Sequence, residues 1–445
     1  MLSRLSLSGA DPRQEVRAGV TTFMTMAYII AVNPQILGDA GMPRDGVMAA
    51  TCLAAAFGSL LMGVLTNFPF ALAPGMGLNA YFAYTVVLGL GLSWQGALAA
   101  VFVSGVLFLL LTITRARQAI VNGIPLSLKC AISVGIGLFI ALIGLEKAGL
   151  IVPSPATGSL GLVTPAHFTT PELTGLLPPG TSPASIGVAL IGLVLSAGLM
   201  VRGVRGALLW GIIGATVAGV PLGVVTWPGG APVSLPSGLS RTFLAMDFHA
   251  LLEFGLVSVI FTFTFVDLFD AVGTLVGVAN KAGMLDAQGR LPRVTRALVA
   301  DSLATAAGAA LGTSTTTAYI ESAAGVAAGG RTGWTAITVA VLFLAALFCA
   351  PLVNAIPAAA TAPALVLVGV FMMEPVTRID FGDFAEAIPA FCAMVIMPLA
   401  FSIAEGIVFG VLAYTLLRLL SGRWRDVSLT MAILSALFLV HLAWR

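Results

Sequence analysis

Five carboxyl side chains, Asp267, Asp270, Asp301, Glu321 and Glu405, fall inside apolar stretches, with no lysine or arginine placed centrally among them. Burial penalises the charged form of a carboxyl group, so such a group can stay neutral when empty and exchange its proton as a polar molecule arrives. That is a workable device for coupling binding to protons. Asp267 stands one helical turn before Asp270, and Glu321 closely follows the hydroxyl run Ser314 to Thr317. A carboxylate beside hydroxyls and an amide, with the phenyl rings of Phe265 and Phe82 for stacking, suits a flat heterocycle with adjacent N–H donors. Helix-end or hydrated positions would equally explain Glu405 and Asp301, which leaves Asp270 and Glu321 as the leading functional candidates.

The elements that must carry these groups are membrane spans. Of 445 residues, 58% are hydrophobic and 9% charged, with a mean hydropathy of +1.04, against about 25% charged residues in soluble domains. A net charge of +2 excludes a nucleic-acid binder, and the composition excludes a disordered chain, a coiled coil or a disulfide scaffold. Cys52, Cys130, Cys349 and Cys392 lie singly in apolar surroundings, and His167, His249 and His441 are scattered. No metal or cofactor pattern emerges. The polar N-terminus has no apolar h-region, so targeting falls to the first span.

At about 20 apolar residues per crossing, spans are expected near 18–34, 46–66, 70–88, 94–114, 124–145, 184–202 and 206–226. A second set lies near 252–278, 294–312, 314–328, 334–352, 357–374, 387–402 and 404–420. The piece 427–444 is either a further span or an interfacial helix. With the N-terminus inside, one face collects Arg4, Arg13, Arg17, Arg115, Arg117, Lys129, Arg202, Arg205, Lys281, Arg290, Arg293, Arg296, Arg331, Arg378, Arg418, Arg423 and Arg425, and the other only Arg44, Lys147 and Arg241. This asymmetry supports an even number of core spans that start in the cytoplasm of a multi-pass cell-membrane protein.

Internal matches point to duplication. Asn122, Ile124, Pro125, Val134, Gly137 and Phe139 recur as Asn354, Ile356, Pro357, Val366, Gly369 and Phe371; Thr22 and Phe23 recur as Thr264 and Phe265, and Ala40–Met42 as Ala282–Met284. Two halves of seven spans, an odd number, must be inverted relative to each other. The expected fold is therefore all-α and polytopic, a seven-plus-seven inverted repeat. In span 3, FALAPGMGLNAYFAY is broken by Pro74, Gly75 and Gly77, and its counterpart is expected in GTSTTTAYIESAAG of span 10, with Ala80 and Tyr81 corresponding to Ala318 and Tyr319. Backbone leaves the helix at membrane depth only where it is buried or lines a cavity, so both are read as short extended segments leading into half-helices.

The stretches TTFMTMAYIIAVNPQIL, APGMGLNAYFAY, FTFTFVDLFDAVGTLVGVANKAGM and GTSTTTAYIESAAGVAAGGRTG resemble the AzgA-like purine permeases of the nucleobase cation symporter and nucleobase-ascorbate transporter family, over nearly the whole chain. The resemblance implies a core domain of 16–114 and 250–352, a gate domain of 115–249 and 353–426, and a C-terminal segment 427–445 outside the pattern. It further implies a homodimer importing hypoxanthine, guanine or adenine with a proton by elevator-like movement, without enzymatic activity; sodium coupling would suit buried carboxylates as well. Asp270 and Glu321 match the family's span-eight and span-ten acids, Asn79 its span-three asparagine and Asp301 a supporting acid of span nine. On this basis Asp270, Glu321, Asn79, the amides around Ala80 and Ile320, and less directly Phe265 and Thr25, are expected at the purine. Asp270, Glu321, Asp267 and Asp301 are expected to handle the proton, with Asp267 equally readable as a cap on the broken segment opposite.

Two other readings fit parts of the pattern. An anion carrier of the same architecture would prefer a central cation to two carboxylates. An intramembrane aspartyl protease would need a GxGD-type sequence, which Phe269–Gly273 is not.

Overall fold

The computed structural model describes residues 11–114, 123–154, 159–225, 231–253, 257–286 and 291–443. Arg4, Arg115, Arg117, Asn122 and Arg290, counted among the charges and the repeat, lie outside them. Span 1 consists of helices Pro12–Met26 and Ile29–Asp39. Span 2 is Arg44–Thr66; span 3 is a strand, Leu72–Pro74, leading into helix Met76–Ala80 and a π-helical continuation Tyr81–Gly89. Spans 4 to 7 are Trp94–Ile113, Leu126–Lys147, Pro183–Val201 and Ala207–Gly219. In the second half, spans 8 and 9 are Val257–Lys281 and Val294–Leu311. Span 10 is a strand, Thr316–Ala318, leading into Ser322–Ala327; spans 11 to 14 are Gly333–Asn354, Ala358–Phe371, Phe384–Leu399 and Ile403–Leu420. Among the described residues ten helices are long and apolar enough to cross a membrane; spans 3, 7, 10 and 13 are shorter.

These runs are helical because each apolar segment must satisfy its own amides in lipid, and polar residues mark where they start. Ser93, Ser182, Thr332, Asp383 and Ser402 each accept a hydrogen bond from a backbone N–H in the first turn of the helix that follows, as N-caps do. Span 1 breaks at Ala27–Tyr28, just after Thr25, whose hydroxyl donates back to the carbonyls of Thr22 at 2.7 Å and Thr21 at 3.2 Å. Such back-bonding competes with the helical ladder and bends it. Elsewhere the absence of side chains sets the packing: a Cβ on Gly333 would stand 2.3 Å from the Gly63 carbonyl oxygen, so spans 2 and 11 meet backbone to backbone, the close approach small residues permit.

The inverted repeat is visible in the packing. Span 1 lies on span 11 as span 8 lies on span 4; span 2 lies on span 11 as span 9 lies on span 4. Likewise spans 5 and 13 pair as do 12 and 6, and spans 6 and 7 as do 13 and 14. The two strands join antiparallel, with Leu72 opposite Ala318 and Pro74 opposite Thr316. This corrects the counterpart proposed from sequence: Ala318 ends its strand as Pro74 does, whereas Ala80 and Tyr81 lie beyond, in the helix. Shared Ala-Tyr letters in an alanine-rich chain misaligned the two spans.

The C-terminal segment forms helix Leu429–Ala443, which packs along span 14 with the Thr415 and Ser435 hydroxyls 2.7 Å apart and Phe438 edge-on to Phe261 of span 8. At 1.5 Å per residue, its 15 residues reach about 22 Å, short of the roughly 30 Å hydrocarbon core.

Candidate functional site

Two three-residue strands inside a membrane protein leave amide edges that something must pair, and polar side chains do so here. Ser59 of span 2 donates to the Leu72 carbonyl at 3.1 Å and accepts from its N–H at 2.9 Å. The Ala71 N–H donates to Ser322 at 3.0 Å, Thr305 donates to the Thr316 carbonyl at 3.0 Å, and the Ala318 N–H donates to Asp301 at 3.0 Å. Gly75 N–H to Thr315 O, 2.9 Å, and Tyr319 N–H to Ala71 O, 3.0 Å, extend the join at either end. These bonds tie the backbone of the broken segments to its neighbours.

Where the strands end, a cavity of about 600 Å³ opens. Asp270 of span 8 and Glu321 of span 10 both line it, together with Tyr28 at the break of span 1, Gly75 and Met76 of span 3, and Tyr319. The Tyr28 hydroxyl donates to Oε1 of Glu321 at 2.8 Å, and the Tyr319 hydroxyl donates to the Pro74 carbonyl. Gly75 faces Asp270: a Cβ there would lie 3.8 Å from Asp270 Oδ2. The cavity runs out past Lys129, Lys281 and Arg378, which begin span 5, end span 8 and follow span 12, all on the face where span 1 starts. Towards the opposite face polar ties join the spans: Lys147 pairs with Asp39, Tyr84 donates to Asp39 at 2.7 Å, and Gln35 donates to the Ile356 carbonyl at 3.1 Å and accepts from Thr361.

Of the residues singled out from sequence, Asp270, Glu321 and Ile320 line the cavity. The others sit behind it, each for a packing reason. Asn79 is fully buried and accepts from the Ser314 hydroxyl, locking span 3 to span 10. Ala80 is buried within the helix that follows. Phe265 stacks on Phe261, at 5.2 Å, and meets Phe269 edge-on, at 4.6 Å, and Phe82 packs on Phe263; the phenyl rings on the cavity are instead those of Phe269 and Phe371. Thr25 turns its hydroxyl onto its own helix and comes within 3.5 Å of the Glu321 carbonyl.

Asp267 and Asp301 are completely buried beneath the span-10 strand. Asp301 accepts from Ala318 N–H and, at 3.2 Å, from Thr317; Asp267 Oδ2 accepts from Thr305 at 3.2 Å, while its Oδ1 has no partner among the described residues. Glu405 stands in the first turn of span 14. Sequence reasoning missed Tyr28, Tyr319, Ser59 and Glu15. Glu15 is buried at the start of span 1 and accepts from the N–H groups of Arg331, 3.0 Å, and Thr332, 3.2 Å. Only for Tyr28 did the sequence hold a hint, since a polar aromatic interrupts an otherwise apolar run.

A sequence model described as a permease family matches residues 13–409. The chain is 43% identical over 443 residues to the adenine permease AdeP of Escherichia coli strain K12, covering 99% of this chain and 95% of that one. It is 44% identical over 436 residues to the guanine/hypoxanthine permease PbuO of Bacillus subtilis strain 168, covering 97% of each. Among solved structures it resembles the transmembrane domain of a cyanobacterium bicarbonate transporter, BicA, with a TM-score of 0.64 over 91% of this chain and 98% of that one, at 13% identity.

Proposed function

The chain belongs to this permease family, that of the nucleobase-ascorbate transporters, and on that premise we propose that it imports purine nucleobases by proton symport. The observation that carries the reading is the meeting of Asp270, from the middle of the unbroken span 8, and Glu321, from the break of span 10, in one cavity against the start of the span-3 half-helix. A purine presents N–H donors along its edges and a flat face. Two carboxyl groups accept from those edges and Phe269 offers a ring, an arrangement that fixes orientation with few polar contacts. Relatives of similar length named for adenine and for guanine/hypoxanthine support the substrate class.

In this reading Asp270 and Glu321 bind the purine and exchange the proton, with Asp267 and Asp301 as buried carboxyls behind them. Asn79, Ala80, Phe265 and Thr25 support the site from outside the cavity, and Ile320 borders it. Residues 16–114 and 250–352 form a core that moves past a gate of 115–249 and 353–426, carrying the site in the manner of an elevator within a homodimer. With the N-terminus cytoplasmic in the cell membrane, the cavity described here opens inward. An anion carrier of the BicA architecture is disfavoured because lysine and arginine stand at the mouth of the cavity and carboxylates at its end.

The test is uptake of labelled hypoxanthine, guanine and adenine into proteoliposomes under an imposed pH gradient. Saturable uptake of at least one purine, driven by an acidic outside and abolished by a protonophore, is expected. Uptake indifferent to the gradient removes proton symport, and sulfate or bicarbonate competing with purine moves the chain to the anion class.

A further inference from the structure

The inverted repeat sets Tyr28 and Asp270 in corresponding places. The spacing of 242 residues that aligns Thr22 and Phe23 with Thr264 and Phe265 also aligns Tyr28 with Asp270. Gly75 and Glu321 hold like places, each immediately before its half-helix, although the strand ends set Gly75 level with Tyr319 and span 10 takes two more residues to reach its helix. Each half therefore sends one side chain from its first span to the start of the other half's broken span. Tyr28 reaches Glu321, with its hydroxyl 2.8 Å from Oε1. Asp270 reaches Gly75, which has no side chain to meet it. One contact is filled by protein and its counterpart is left open onto the cavity.

We infer that Tyr28 is a positioning residue for ligand recognition: it holds one oxygen of Glu321 so that the other is presented to the cavity, while the vacant counterpart at Gly75 leaves Asp270 for a second edge of the same ligand. The phenol is suited to this. Tyr28 is 1% exposed and held in the packed core, so its hydroxyl is aimed without loss of side-chain freedom on binding, and a hydrogen bond to a charged acceptor is stronger than one between neutral groups. The carboxylate then has a single orientation. Discrimination among purines, which differ in the order of donors and acceptors along their edges, depends on that orientation.

This inference rests on the purine reading, and the experiment separates the two. Wild-type protein that takes up no purine ends the reading itself. If the wild type is active, Tyr28→Phe keeps the ring and removes only the hydroxyl, and kinetics are compared in proteoliposomes of equal protein content. Expected are a KM raised about five- to twentyfold, the scale of a lost charge-assisted hydrogen bond acting through a second group, a Vmax within about twofold, and inhibition constants for hypoxanthine, guanine and adenine that converge. A merely structural role would lower Vmax or the amount of folded protein and leave the ratios among purines alone. An unchanged KM with unchanged ratios, or a fall in Vmax alone, overturns the inference. If the phenylalanine variant does not reach the membrane, fluorotyrosine at position 28 preserves the shape and alters the donor; unchanged KM and ratios there overturn it equally.

Discussion

Spans 3 and 10 use the same backbone and opposite side chains. Both enter the protein as three-residue strands, pair with each other, and turn into helix at one point beside the cavity. Span 10 is rich in hydroxyls, all buried from Thr313 to Thr317, and places a carboxyl group, Glu321, at the turn. Span 3 is apolar there, places Gly75 at the turn, and directs its polar side chain, Asn79, away from the cavity onto Ser314. Duplication thus supplied two equivalent supports, and divergence made one of them a donor of charge and the other a provider of room. A symmetric pair of acids would crowd like charges together in low dielectric, where their repulsion is severe.

That contrast can be broken at either end. The largest effect is expected at the charged end: Glu321→Gln, and Asp270→Asn on the facing helix, should each lower purine uptake by about a hundredfold or more, because each leaves a buried edge of the ligand with the wrong partner. Initial rates in proteoliposomes with matched protein content measure this, and a variant retaining more than a tenth of the rate would show that the carboxylate is dispensable. At the empty end, Gly75→Val should weaken binding about tenfold or more. Even a Cβ would stand 3.0 Å from Thr317 Cγ2 and 3.8 Å from Asp270 Oδ2, so larger groups fill the space the ligand needs; titration of purine-induced thermal stabilisation reads it. Unaltered affinity would mean the ligand does not use that room. The smallest effect belongs to the join: Asn79→Ala strands the Ser314 hydroxyl in a buried site, costing about 1–3 kcal/mol. It should appear as a lowered unfolding temperature with KM within a factor of about three. A larger change in KM than in stability would place Asn79 at the ligand instead.

Much of the architecture was legible before any coordinates. Apolar runs and the skewed cations located most spans to within a few residues, span 1 being longer and span 7 shorter than expected, because bilayer thickness and amide satisfaction leave a chain little choice. Asp270 and Glu321 were legible for a related reason: a carboxyl in an apolar run is costly enough to need a use. Asn79, Phe265, Phe82 and Thr25 had residue types suited to a ligand, yet packing turned each toward protein. Sequence gives the type of a side chain but not its direction, and at membrane depth a protein partner satisfies a polar group as well as a ligand does.

The amino-acid order alone determined that the chain spans a membrane as two inverted sets of seven segments, and that two of those segments are broken, since those properties follow from local composition and from counting. Only the tertiary structure decided that Tyr28 grips Glu321, that Gly75 rather than a second polar group faces Asp270, and that Ala318 corresponds to Pro74 and not to Ala80. These are contacts between residues hundreds of positions apart, fixed by how helices pack and strands register, and a linear pattern carries no measure of that distance.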